Sequence, residues 1–177
     1  MKKIVLFLAM FMPFCFQSNA DAFYGGVSFV SAKVDFGDYD AGVGLLAIKG
    51  GQELHENIAV EGRLGIGIAD GDIKNNSVSV DLNYYYGIYC KAKHQIDRFS
   101  LYALLGLAGA EVELESNVPV PPGFPSTASE SDAGLSYGVG VEFMATDKLG
   151  VNLEYLVLPD IEDVEIQSIG LGVSFQF

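Results

Sequence analysis

Basic residues are scarce: 10 Lys and Arg stand against 23 Asp and Glu, for a formal charge of −13. Phosphate recognition needs clustered Lys and Arg, so nucleic acid is excluded as a partner. Cysteine is almost missing, with only Cys15 and Cys90. Histidine is limited to His55 and His94, and no His/Cys cluster has metal-ligand spacing. No metal or cofactor is therefore expected. Beyond the first 20 residues no apolar run approaches 18 residues, which excludes a helical membrane protein on length.

The one long apolar run lies at the start. Lys2 and Lys3 precede an almost unbroken apolar stretch from Ile4 to Phe16, and Ser18-Asn19-Ala20 follows. Basic, apolar and small-residue regions in that order form a secretory signal peptide. Cleavage is expected after Ala20, with Ala22 as the alternative, so residues 21–177 form the single mature domain. A retained anchor is the competing reading, but the run falls short of the roughly 20 residues a spanning helix needs. Cys15 is preceded by Met12-Pro13-Phe14, which is no lipoprotein box. Cleavage removes two lysines and moves the charge from −13 to −15. It leaves Cys90 as a lone thiol, which rules out an internal disulfide. Free cysteine behaves as a small hydrophobe, so Cys90 is expected to be buried and not paired between molecules.

Half the residues are hydrophobic, and their period is two. Ile58, Val60, Leu64, Ile66 and Ile68 alternate with Ala59, Glu61, Arg63, Gly65 and Gly67. Val78, Val80, Leu82, Tyr84, Tyr86 and Ile88 alternate with Ser79, Asp81, Asn83, Tyr85 and Gly87. Residues 134–143, 148–159 and 169–177 repeat the pattern, the last with Ile169, Leu171, Val173, Phe175 and Phe177 against glycines, Ser174 and Gln176. Such alternation marks strands with one apolar face. Residues 23–34, 42–52 and 98–112 are less regular Gly- and Ala-rich strands, and the inward parity of the first stays open. The count is eight.

Connections alternate between short and long. Residues 53–56, 94–97 and 146–148 read as tight turns. Residues 37–41, 70–76, 113–132 and 160–163 read as longer, acidic connections. The third holds Pro119, Pro121, Pro122 and Pro125, which cannot join a ladder.

Four features favour a barrel with its apolar face outward, toward lipid. The chain is exported. The second face is small and charged, and a closed eight-strand lumen can pair Glu61, Arg63, Asp81, Glu142 and Glu154 with one another. Aromatics recur near strand ends, at Tyr84, Tyr86, Tyr155, Phe175 and Phe177, as interfacial girdles do. Strands of about 10 residues match a tilted crossing of the hydrocarbon layer. The expected fold is thus an all-β, eight-stranded, antiparallel, up-and-down transmembrane β-barrel. Closure is required, because an open edge in lipid costs several kcal/mol per unpaired backbone group. The Phe177 strand must therefore pair with the strand beginning near Phe23.

The strand count, the opening Phe23-Tyr24-Gly25-Gly26 and the terminal Gly170-Leu171-Gly172-Val173-Ser174-Phe175-Gln176-Phe177 resemble the OmpA/OmpX-type outer-membrane β-barrel superfamily, many of whose members are called porin-family proteins or surface antigens. The resemblance implies a bacterial outer-membrane location, contact with membrane lipid and lipopolysaccharide, and a monomer. It also implies that Phe175 and Phe177 serve as the signal read by the barrel-assembly machinery.

Some barrels of this size are enzymes that use His with Ser, Asp or Glu at the outer rim. Here both histidines fall in the short turns, on the opposite side, and no Ser nucleophile sits in a recognisable motif. No enzyme is expected. The inward charges, with Arg63 as hub because its planar guanidinium holds two carboxylates, are expected to plug the lumen. The alternative is a narrow ion pathway. Carboxylates are expected to exceed cations on this face. Asp38, Asp40, Asp70, Asp72, Asp160, Glu162, Asp163 and Phe124 are the connection residues placed to contact a host or surface ligand, in an adhesive, antigenic or envelope-supporting role.

Overall fold

The computed structural model describes residues 23–35, 40–73, 78–116, 127–160 and 165–177. These form strands β1 (Phe23–Asp35), β2 (Asp40–His55), β3 (Ile58–Ala69), β4 (Gly71–Ile73), β5 (Val78–Ile96), β6 (Phe99–Ser116), β7 (Thr127–Met144), β8 (Leu149–Val157) and β9 (Glu165–Gln176). Every pairing is antiparallel, and all join neighbours in sequence except β3–β5, since β3 and β4 share β5 as partner, and β1–β9. β3 and β4 are one stave interrupted at Asp70, so nine segments make eight staves. The sheet closes where β1 meets β9, from Tyr24↔Gln176 to Asp35↔Glu165. Phe177 N–H donates to the Phe23 carbonyl at 3.0 Å, one step beyond the last ladder pair.

The alternation becomes two surfaces. Outward, Leu64, Ile88, Leu105, Leu107, Leu135, Ile169 and Leu171 are each more than half exposed. Water-soluble monomers rarely present an apolar patch beyond a few hundred Å², and hydrocarbon is the medium that suits a continuous band. Phe23, Phe99, Phe143, Phe175 and Phe177 rim the band at the short-turn end, with Phe99 and Phe143 rings 5.0 Å apart and Phe175 and Phe177 in edge contact at 5.4 Å. Tyr84, Tyr86 and Tyr155 stand toward the other rim, where Tyr84 donates to Glu111 and Tyr155 to Gln167. A phenol fits there because its ring lies in the apolar zone and its hydroxyl reaches polar groups.

The interior is filled in two layers. Toward the short turns it is polar and charged. Toward the long connections it is a hydrophobic core in which Val34, Val80, Leu82 and Ile166 are fully buried. Glycines opposite large rings allow this filling. A Cβ at Gly65 would enter the Tyr85 ring and one at Gly140 the Tyr102 ring, so each Gly–Tyr pair shares the space of two ordinary side chains.

Several boundaries differ from the sequence expectation. The first turn is Glu56-Asn57, because Glu53, Leu54 and His55 belong to β2. The second is Asp97-Arg98, with Asp97 at φ 54, a left-handed conformation that Asp tolerates; His94, Gln95 and Ile96 extend β5. Both ends of the connection expected over 113–132 are strand: β6 runs to Ser116 and β7 starts at Thr127. Lys93 explains part of the first shift, since its amine pairs with Glu53 across the staves.

Candidate functional site

The charged layer is built from residues of all eight staves. Arg63 on β3 sits at its centre. Its Nε donates to Glu61 Oε1 at 2.5 Å, its Nη2 to Glu154 Oε2 at 2.8 Å, and its Nη1 to Glu154 Oε1, making a two-pronged clamp on the β8 carboxylate. Its guanidinium also lies 5.1 Å from the centre of the Tyr89 ring. Tyr24 donates to Glu61 Oε2 at 2.7 Å and Tyr102 to Glu154 Oε2 at 2.9 Å. Lys49 on β2 donates to Asn152 Oδ1 at 3.1 Å. Lys91 on β5 lies 3.9 Å from Glu61 and 4.0 Å from Glu142, and Ser174 donates to Glu142.

These side chains are buried, Glu61 completely. A buried charge is tolerated when it is paired and its remaining lone pairs and protons are satisfied. The sequence expectation of excess carboxylate is corrected by the structure. Lys49, Arg63 and Lys91 face Glu61, Glu142 and Glu154, so the layer is balanced three against three.

Of the five residues expected inside, Glu61, Arg63, Glu142 and Glu154 meet in this layer. Asp81 does not. A register shift between Leu82 and Tyr84 reverses the parity of β5, so Val80 and Leu82 turn inward and join the hydrophobic core. Asp81 lies above the charged layer and above the tyrosine rim, next to Gly67. There, partial burial and then the nearby Asp70 and Glu113 carboxylates push its carboxyl above its usual range.

The sequence reading missed Lys49 and Lys91. Extending the parity of Tyr85, Gly87 and Tyr89 by one step reaches Lys91, so the signal was present. Lys49 lies in a Gly-rich strand without visible parity. Cys90 also departs from expectation. It is exposed on the outward face, opposite Val60 and Leu105, so its hydrophobic surroundings are lipid and not barrel interior.

Among the connection residues, Asp40 and Asp72 lie within β2 and β4, and Asp70 and Asp160 are exposed. Asp38, Phe124, Glu162 and Asp163 lie outside the described residues. His55 and His94 are exposed at the short-turn end. Among the described residues no group of three His, Cys, Asp or Glu is arranged to hold a metal ion.

The long-connection end is extended and acidic. β6 and β7 pair up to Glu115↔Thr127, whereas β8 reaches only Tyr137 of β7, through Val157. Pro159 packs beside Gly134. Beyond it, Thr127–Ala133 has ladder partners on β6 alone among the described residues. Asp35, Asp70, Asp81, Glu111, Glu113, Glu130, Asp132, Asp160 and Glu165 lie at this end, against Lys33 as the one described base, which pairs with Asp35.

The fold is shared with known proteins. Ail of Yersinia pestis, solved in complex with the heparin analogue sucrose octasulfate, superposes with a TM-score of 0.65 at 19% identity, covering 89% of this chain and 99% of that one. Neisserial surface protein A superposes at 0.68 and 16% identity, over 88% and 99% of the two chains. OprG of Pseudomonas aeruginosa gives 0.62 and 14%, over 89% and 96%. Outer membrane protein X of Enterobacter cloacae is 28% identical over 100 residues, 56% of this chain and 55% of that protein, so the match spans about half the length of that relative. A family model for the outer membrane protein beta-barrel domain matches residues 4–177. Closed barrel, outward apolar band and matched sequence agree, and the chain belongs to the outer membrane protein beta-barrel domain family.

Proposed function

We propose that this protein is a non-enzymatic, monomeric interaction scaffold of the bacterial outer membrane, exported by residues 1–20 and displaying an acidic sheet edge outward. Barrels of this kind keep short turns in the periplasm and longer connections outside, which puts the long-connection end at the cell surface. The observation that carries the reading is the projecting edge of β7 over Thr127–Ala133, which has no ladder partner on its β8 side among the described residues. Such an edge is a template for an added extended segment. Its charge selects the kind of partner. Glu130 and Asp132 are exposed on the edge strand, with Glu111 and Glu113 on the strand behind. A basic, extended polypeptide is favoured, and a sulfated polyanion of the kind bound to Ail is disfavoured. Membrane lipid and lipopolysaccharide cover the apolar band.

Whole cells displaying the protein test this directly. A Lys/Arg-rich extended peptide is expected to bind more tightly than a heparin-like polyanion, and less tightly at high salt. The double variant Glu130→Lys/Asp132→Lys is expected to lose about tenfold or more in affinity, the size of one lost charge-assisted contact. Unchanged binding by that variant refutes the edge as the contact site.

Phe177 takes the role of assembly signal, supported by its place beyond the last ladder pair and its 77% exposure. Deleting it is expected to lower outer-membrane accumulation severalfold while the purified chain still refolds in detergent. Normal accumulation in cells contradicts that role. A narrow pore is the competing function. The hydrophobic core across the outer half of the lumen opposes it, and steady single-channel openings in planar bilayers would overturn the plugged reading.

A further inference from the structure

The charged layer has one side where every carboxylate oxygen is bonded and another where the bonding is incomplete. Around Arg63 every carboxylate oxygen of Glu61 and Glu154 has a direct donor. Around Glu142 the bonding is incomplete. Lys91 Nζ stands 3.9 Å from Glu61 and 4.0 Å from Glu142, beyond hydrogen-bond reach. Its closest ring is Tyr102, whose centre is 4.2 Å away, with Tyr24 at 5.1 Å.

Two further donors are unsatisfied beside the same carboxylate. Ser100 and Asn152 flank Glu142 in register, on β6 and β8, and are 4% and 2% exposed. Ser100 Oγ and Asn152 Nδ2 have no hydrogen-bond partner. A cavity of about 10 Å³ also borders Glu142 but is not lined by these two groups; its walls include Tyr24, Lys91, Lys93, Glu53, Glu142 and Ser174. That is the volume of about one water, in a site with the several polar partners a buried water requires.

We infer that Lys91 and Glu142 form a hydration site at the end of a periplasm-facing vestibule, reached by water from the periplasm and closed to the cell exterior. The ammonium and the carboxylate share the bridging water, with the Ser174 and Tyr24 hydroxyls lining the same cavity. Entry is beside the Lys93–Glu53 ion pair, which lines the cavity near the short turns. Exit toward the surface is blocked by Val34, Val43, Leu45, Leu82 and Ile166 of the hydrophobic core. A group that exchanges protons with solvent therefore samples the periplasm alone. This holds whatever partner the β7 edge takes.

Water-to-amide magnetisation transfer, measured on the full barrel in lipid nanodiscs, tests the inference. Cross-peaks to bound water are expected at Lys91, Glu142 and Ser174 and not at Ala32, Val43 or Ile166. Cross-peaks in both sets mean a continuous channel, and cross-peaks in neither mean a dry plug; either result overturns the proposal. In Lys91→Met, chosen to keep the stem and remove the ammonium, the Glu142 cross-peak is expected to weaken at least fivefold with the strand shifts retained. If that variant does not fold, the wild-type pattern still decides the question. An undiminished cross-peak in folded Lys91→Met removes Lys91 from the site.

Discussion

Arg63→Ala is expected to destabilise the folded barrel by about 3–5 kcal/mol, the cost of breaking a buried ion pair from one side. The substitution strips Glu154 of both prongs of its clamp and Glu61 of its closest donor. Two carboxylates then remain in the lumen with Tyr24, Tyr102 and the more distant Lys91 as partners. Urea titrations of barrels in lipid vesicles, read by the mobility of unheated samples on gels, measure the shift. A second variant separates charge imbalance from lost packing. Adding Glu154→Gln to Arg63→Met, which leaves Lys49 and Lys91 facing Glu61 and Glu142, is expected to restore most of the loss, since neutral replacement of both partners of a buried pair is often close to neutral. A loss under about 1 kcal/mol for Arg63→Ala, the scale of an exposed ion pair, would mean that the layer contributes little.

Leu105→Arg should cost about 2–4 kcal/mol in a bilayer, the penalty for a cation at the midplane of a barrel's lipid face. Leu105 is 57% exposed on β6, between the Phe99 rim and the Tyr84–Glu111 contact, opposite Cys90 and Tyr137. On a water-facing surface the same change would stay within about 0.5 kcal/mol. The experiment therefore reads the medium around the belt, independently of the barrel's closure. Glu130→Lys serves as the control, because its site lies above the belt and a change near zero is expected. Equal stability of Leu105→Arg and the parent in vesicles would contradict a lipid-facing position.

The outward belt was legible because a strand's side chains alternate strictly, and one medium surrounds all eight staves. Ile58 to Ile68 and Ile169 to Phe177 keep one parity throughout, so each could be read without its neighbours. Inside, the reading held only where no bulge intervened. Glu61, Arg63, Glu142 and Glu154 share an unbroken alternation with their outward neighbours. Asp81 lies beyond the shift at Leu82/Tyr84, and a bulge leaves no mark beside Tyr84-Tyr85-Tyr86, where both parities carry the same side chain. The interior's outer half was missed for a related reason. Ala32, Val43 and Leu45 lie in Gly- and Ala-rich strands, where both parities look small and apolar.

By itself, then, the sequence determined the staves of the Phe177 strand and its relatives, the closure of that strand on the Phe23 strand, and the lipid-facing surface. These follow from local alternation and from the rule that no backbone edge stays open in hydrocarbon. Tertiary structure alone decided that Lys49 faces the lumen and completes its charge balance, that a hydrophobic core closes its outer half, and that β6 and β7 outrun β8. Those outcomes depend on which residues meet across the barrel. That is a matter of register between strands as distant as Lys49 and Asn152, about which local periodicity carries no information.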